Sequence, residues 1–374
     1  MAKRKPGISA DSHIVEPPNT YTDFIDPKFR DRAPTVIDGP TGGSIFNIPG
    51  LDDIIPLALL GAAGVPAAEL PKYRDAKFDQ LPNAAWNPDF RAEVQDQDGV
   101  CAEIIYASVG MIMCGHPDLE YKDACMQAYN RWLETFCGAQ PNRLFGLAQS
   151  AVLSVDSAIE DVKRAKAQGM VGMMMPGRPG HADYDHADYD ALWQCSVDLD
   201  MPMCFHILTS DDCGVKEVLA PKRGHAANGF MNIIRGVQDV LGVFLFGGVF
   251  ERHPNLKMIV AEGDAGWIPH YKYRADHAIE RLGPAVECQL TRPPSEYITE
   301  NVSFTFQDDE TAYRNLDVVD SGCLIWANDY PHTDASWPNS QRILDEQMAH
   351  LTIEQQNACV HDNVKKLFNL NVNV

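Results

Sequence analysis

Ile8-Ser9-Ala10-Asp11-Ser12-His13 runs a short apolar, strand-like segment straight into an acid and an imidazole spaced two apart. Residues two apart on an extended chain point to one face, so Asp11 and His13 can close on a single ion. A D-x-H pair alone is weak evidence. Its weight depends on whether other strand ends carry groups of the same kind.

Seven further strands can be read downstream: Ala102–Tyr106, Leu144–Ala148, Gly169–Met175, Met203–Phe205, Lys257–Ala261, Val302–Phe306 and Leu324–Trp326. Helical spacing of apolar residues separates them, for example from Asp156 to Gln168 with Gly169 as a stop, and from Tyr189 to Leu199 before Pro202. Alternating strands and helices with few hairpin signals predict parallel β/α architecture. Eight units favour a closed (β/α)8 TIM-type barrel over an open sheet, though alternation alone leaves both open. The 374 residues are read as one barrel domain. The Pro-, Gly- and Asp-rich stretch 17–90, with an apolar patch at Ile54–Leu60, is an insertion after strand one that covers the barrel mouth or forms an interface. A repeated His-Ala-Asp-Tyr-Asp at His181 and His186 reads as a solvated turn before a helix.

Barrel enzymes carry their chemistry at the C-terminal ends of the strands. Here those ends hold Asp11 and His13, then His206, Glu262 and Asp329. Two imidazoles and two carboxylates from Asp11, His13, His206 and Asp329 make a nitrogen–oxygen set suited to zinc, manganese or iron. Asp329 and Glu262 are the candidate catalytic groups. Glu16, Glu262 and His270, together with His206, could hold a second ion, and iron or manganese would then be expected. Their bland alternatives are a structural cap for Glu16 and a helix start for His270. Arg178, after strand four, could pair with a substrate carboxylate, and His332 could orient Asp329 or touch substrate. No organic cofactor is implied.

The segments Asp11-Ser-His-Ile-Val-Glu-Pro17, Arg143-Leu-Phe-Gly-Leu147, Phe205-His206, Gly248-Val-Phe-Glu-Arg-His-Pro-Asn-Leu-Lys257, Glu262-Gly-Asp-Ala-Gly-Trp-Ile-Pro269, Pro294-Ser-Glu-Tyr297 and Asn328-Asp-Tyr-Pro-His332 occur in this order. With them the chain resembles the amidohydrolase-2 branch of the amidohydrolase superfamily, related to aminocarboxymuconate semialdehyde decarboxylase. The resemblance implies a (β/α)8 barrel with metal ligands on strands one, five and eight, which fall on Asp11, His13, His206 and Asp329. The chain departs from the decarboxylases in opening with Asp rather than His or Glu. It also has Glu262 where they place a catalytic histidine. The D-x-H-x-x-E-P opening is similar to that of dinuclear Fe/Mn hydroxylase-like and diiron thioesterase-like members. Three functions are the resulting expectations. One is hydrolysis of an amide, ester or related carbonyl-type bond by metal-activated water. The second is decarboxylation, or oxygenation of a small amine or amino acid. The third is a non-catalytic metal-binding subunit.

Composition narrows the partners. A net charge of −21 opposes binding to nucleic acid and to anionic membranes, leaving a small-molecule substrate. A homo- or hetero-oligomer with a related barrel chain is expected. Ten cysteines without a C-x-x-C metal pair read as reduced thiols, and no apolar leader comes after the basic N-terminus, so a cytoplasmic location is expected. No apolar stretch is read as long enough to span a bilayer.

Overall fold

The computed structural model describes residues 3–52, 56–210 and 224–372; Ile54 and Ile55 of the apolar patch lie outside them. Eight parallel strands, β1 (Gly7–His13), β2 (Val100–Tyr106), β3 (Leu144–Gln149), β4 (Gly172–Met175), β5 (Met203–His206), β6 (Met258–Ala261), β7 (Val302–Phe306) and β8 (Leu324–Trp326), pair in sequence order. All eight predicted strands are present, and only their ends shift. Just beyond β8, Asp329 N–H donates to Asp11 O (3.1 Å) and His13 N–H donates to Tyr330 O (2.7 Å). These bonds bring the last strand back to the first and nearly close a (β/α)8 barrel.

Local chemistry accounts for the elements. The strands are short runs of Val, Ile, Met, Phe and Cys, and β4, β5, β6 and β8 are buried along their whole length, as expected where helices cover a parallel sheet. Helix Val155–Ala167 begins at a capping box in which Ser154 and Ser157 satisfy each other's backbone N–H groups. It stops where Gly169 takes a left-handed φ of +79°, a conformation that costs glycine nothing. Helix Asp190–Leu199 starts without a side-chain cap and ends at Asp200, which takes the left-handed conformation (φ +51°).

One helical stretch corrects the sequence reading. Ala227–Phe246 is 20 residues long and apolar enough to cross a membrane by length and composition alone. In the fold it spans helix Ala226–Phe230, a turn, and helix Ile234–Phe246, which buries Val237, Val240, Leu241, Phe244 and Leu245, while Phe230, Met231 and Phe246 are exposed. Arg235 and Asp239 interrupt the stretch, which is why counting uninterrupted apolar residues passes over it.

The 17–90 segment contains a two-stranded antiparallel hairpin (Thr35–Asp38 with Ser44–Asn47) and short helical turns. It packs on the connections beyond β1 and β8: Val15 N–H donates to Ala85 O (2.9 Å), Ala63 N–H to Pro331 O (2.9 Å), and Thr333 Oγ1 to Leu59 O (2.6 Å). The helix after it, Pro88–Gln97, carries the buried Arg91. Its guanidinium reaches His13 O and Tyr330 O, both at 2.9 Å. It also pairs with Glu103 Oε2 at 2.7 Å and lies over the Tyr330 ring. One cation from the insertion side thus ties the ends of β1 and β8 together.

Candidate metal centre

β1 delivers two side chains to one place. Its register against β2 slips between Ser9 and Ser12, a bulge that re-aims the end of the strand. Ser9 and Ser12 secure the bulge: Ser12 Oγ lies 2.9 Å from Ser9 Oγ and 3.1 Å from Asn328 Oδ1, and Asn328 N–H donates to Ser9 Oγ (2.9 Å). Beyond them Asp11 and His13 are both buried, with Asp11 Oδ1 3.2 Å from His13 Nε2. Glu262 and Asp329, each just past a strand end, both have a φ of +54°. A left-handed backbone at a non-glycine residue is strained by roughly 1–3 kcal/mol, and such residues concentrate at functional sites. Thr305 on β7 braces two of these groups. It accepts from Glu262 N–H (2.6 Å) and donates to Asp11 Oδ2 (2.9 Å).

Hydrogen-bond accounting fixes how the imidazoles face the site. His13 Nδ1 lies 3.2 Å from Ala107 O and His206 Nδ1 lies 3.0 Å from Ile207 O. A carbonyl only accepts, so both Nδ1 atoms carry hydrogen and each neutral ring presents a bare Nε2. Those two Nε2 atoms face each other at 3.1 Å. Two lone pairs at that distance repel unless something positive lies between them. Two nitrogens each ~2.1 Å from one ion, at tetrahedral or octahedral angles, would stand ~3.0–3.4 Å apart. Asp11 Oδ1 lies 3.2 and 3.7 Å from the same two nitrogens. Asp11 Oδ1 and both carboxylate oxygens of Asp329 are buried without a hydrogen-bond donor. Buried acceptors left this way are costly unless a cation or proton meets them. The residues therefore fit a divalent metal.

Around this core the ligand atoms of His13, Glu262, Asp329 and His332 also converge. Glu262 Oε2 is 3.2 Å from His206 Nε2, and Asp329 Oδ1 is 3.6 Å from His13 Nε2. His332 Nδ1 is 3.1 Å from Asp329 Oδ1, and its ring stacks on His13 at 3.9 Å. The electrostatics divide the carboxylates. Burial opposes ionisation of Asp11, but His206 and His13 overcome it and hold its carboxyl well below the usual range. Burial also opposes ionisation of Glu262, and His206 keeps it low. Asp329 goes the other way, driven well up by burial and by the charges of Glu262 and Asp11. Burial and His332 push His13 down to about 3, and burial pushes His332 down to about 4. Burial would lower His206 too, but Asp11 and Glu262 raise it well above the ordinary imidazole range. A proton at His206 can thus take the place of a cation.

Not every expected residue joins. Glu16 is buried, but its Oε1 accepts the backbone N–H groups of Ser108 (3.0 Å), Val109 (2.9 Å) and Gly110 (3.4 Å). It caps the turn after β2, and these N–H donors hold its carboxylate there. His270 is exposed on the first turn of helix Ile268–Leu282, outside the group. The second ion expected from Glu16 and His270 therefore has neither among its converging ligands. Arg178 is exposed in the loop after β4 and pairs with no described residue. The expected site did not include Arg91, Thr305 or Ser108. A polar Glu103 inside the apolar run Val100–Tyr106, matched by Arg91 and Gln95 four apart on a helix, was the available signal for the first of them.

Fold and site together define a metal-dependent (β/α)8-barrel enzyme. The family model described as amidohydrolase matches residues 110–370, and the chain belongs to that family. Solved structures of the same fold include an amidohydrolase from Mycobacterium avium subsp. paratuberculosis K-10, at 19% identity over 98% of this chain and 100% of that one (TM-score 0.77). Another is the 5-carboxyvanillate decarboxylase of Sphingomonas paucimobilis, at 16% identity over 99% and 100% (TM-score 0.70). A third is a dihydroxybenzoic acid decarboxylase from Polaromonas with bound manganese and 2-nitroresorcinol, at 16% identity over 99% and 98% (TM-score 0.68). At these identities the likeness speaks for the fold alone.

Proposed function

We propose that this chain hydrolyses a carbonyl-type bond, an amide or ester of a small organic molecule, at the centre formed by Asp11, His13, His206 and Asp329. The observation that carries this reading is the split between Glu262 and Asp329. A divalent cation held there supplies Lewis-acid polarisation of a carbonyl oxygen and lowers the pKa of water toward ~7. Asp329, whose carboxylate oxygens receive no hydrogen bond from the protein, accepts the proton of the attacking water and returns it to the leaving group. Glu262, ionised beside His206 and with 14% of its side chain exposed, faces the mouth as an acceptor. It orients a donor on the substrate, and it cannot protonate carbon as an imidazolium could.

Decarboxylation is the second reading. The fold is shared with enzymes named as decarboxylases of dihydroxybenzoate and 5-carboxyvanillate, and a protonated Asp329 could deliver a proton to a ring carbon. The test is to load the purified protein separately with zinc and manganese. Each form is then offered a panel of amides, esters and lactones alongside hydroxybenzoates. New carboxylic acid with ¹⁸O from labelled water supports hydrolysis, whereas carbon dioxide release without ¹⁸O incorporation overturns it in favour of the second reading. In either case Asp329→Asn should lower turnover by about 10²–10⁴-fold.

A further inference from the structure

We infer that Ser108 is a positioning residue: it fixes His332 in the tautomer that carries hydrogen on Nε2, so that the Nδ1 lone pair faces Asp329. Ser108 Oγ lies 2.7 Å from Ile14 O and 2.9 Å from His332 Nε2. Three heavy atoms joined by two contacts need two hydrogens. The serine has one, and the carbonyl can only accept, so the serine hydrogen goes to Ile14 O. The second contact is therefore a bond from His332 Nε2–H to the serine oxygen.

The serine cannot easily turn away from this arrangement. It is fully buried, and its own N–H donates to Glu16 Oε1 at 3.0 Å. The residue before it, Ala107, supplies the carbonyl that orients His13. Stacking on His13, with 25° between the rings, sets the plane of His332. Ser108 decides which nitrogen carries the hydrogen in that plane. Glu16 thus acts on the centre at a distance: it holds the turn, the turn holds Ser108, and Ser108 sets His332.

The tautomer determines what His332 can do. With hydrogen on Nδ1 it would donate permanently to Asp329 Oδ1, 3.1 Å away, and occupy one of the oxygens that must take a proton. With hydrogen on Nε2 it is an acceptor, ready to share the proton that Asp329 picks up. That use of the proton rests on the hydrolytic reading above; the tautomer itself does not.

The test is ¹⁵N–¹H NMR of the full chain, labelled at histidine and loaded with zinc. The His332 signals are assigned by their loss in His332→Gln. The wild type should show a proton-bearing Nε2 and a bare Nδ1. Ser108→Thr, which keeps a hydroxyl, should keep that pattern, and Ser108→Ala should move the hydrogen to Nδ1. A wild-type His332 protonated on Nδ1, or on both nitrogens, overturns the inference, as does a Ser108→Ala spectrum identical to wild type. The wild-type spectrum decides the matter even if the alanine variant does not fold. Absence of hydrolysis with the tautomer intact would overturn the functional reading and leave this inference standing.

Discussion

The Nε2 atoms of His13 and His206 stand 3.1 Å apart, and each ring has given its Nδ1 hydrogen to a backbone carbonyl. The pair is preorganised for a cation and frustrated without one. In the metal-free protein the frustration is relieved by a proton, because Asp11 and Glu262 hold His206 well above its ordinary range against the effect of burial.

Metal uptake should therefore expel protons. Below the raised pKa of His206 the metal-free form holds the proton and the metal must displace it, so affinity rises with pH. Calorimetry of zinc binding in buffers of different ionisation enthalpy should show net proton release and an affinity that increases between about pH 5 and 8. A pH-independent affinity would mean that His206 is already neutral. His206→Ala should weaken binding beyond the ~10–100-fold typical of losing an outer-shell partner.

Glu16 sets a pH dependence of stability. Burial, opposed by three backbone hydrogen bonds, raises its carboxyl to about 7. A raised pKa means the folded protein holds this proton more tightly than the unfolded chain. The stabilisation is complete below about pH 4.5 and is lost as pH rises through about 7. Glu16→Gln keeps an acceptor for the N–H groups of Ser108, Val109 and Gly110 without ever carrying charge. Its stability relative to wild type should improve between pH 5 and 8, by roughly 1–3 kcal/mol at most. Parallel denaturant titrations at pH 5 and pH 8 measure the difference, and an unchanged gap would show that Glu16 ionises normally.

The sequence made the frame legible because buried parallel strands are short apolar runs and a barrel puts its chemistry at their ends. Asp11, His13, His206, Glu262 and Asp329 are all found by that rule, and the structure brings them together. Side chains beyond the strand ends are different, because their direction depends on where the loop turns. Glu16 and His270 both stand close in sequence to strand-end acids or imidazoles. One turns into the backbone amides after β2 and the other faces solvent. Ser108 and Arg91 were harder still, since each acts through contacts with residues far away in the chain. Arg91 reaches Tyr330 across 239 positions, a separation that no local pattern records.

Arg91 gives the last prediction. Its guanidinium and Glu103 are both essentially inaccessible to solvent and 2.7 Å apart, and the same side chain holds His13 O, Tyr330 O and Ala84 O. Removing one partner of a buried pair leaves the other charge stranded, at a cost of about 3–5 kcal/mol. Arg91→Ala should lose that much stability and also free the ends of β1 and β8 to move apart, which separates His13 and Asp11 from Asp329. Replacing both charges, Arg91→Met with Glu103→Leu, removes the stranded carboxylate while leaving the carbonyls unclamped. The double variant should therefore recover much of the stability but not the zinc affinity. Thermal unfolding and zinc titration of both proteins separate the two roles. Full recovery of zinc affinity in the double variant would show that Arg91 serves only to neutralise Glu103, and that the barrel closes on the metal ligands without it.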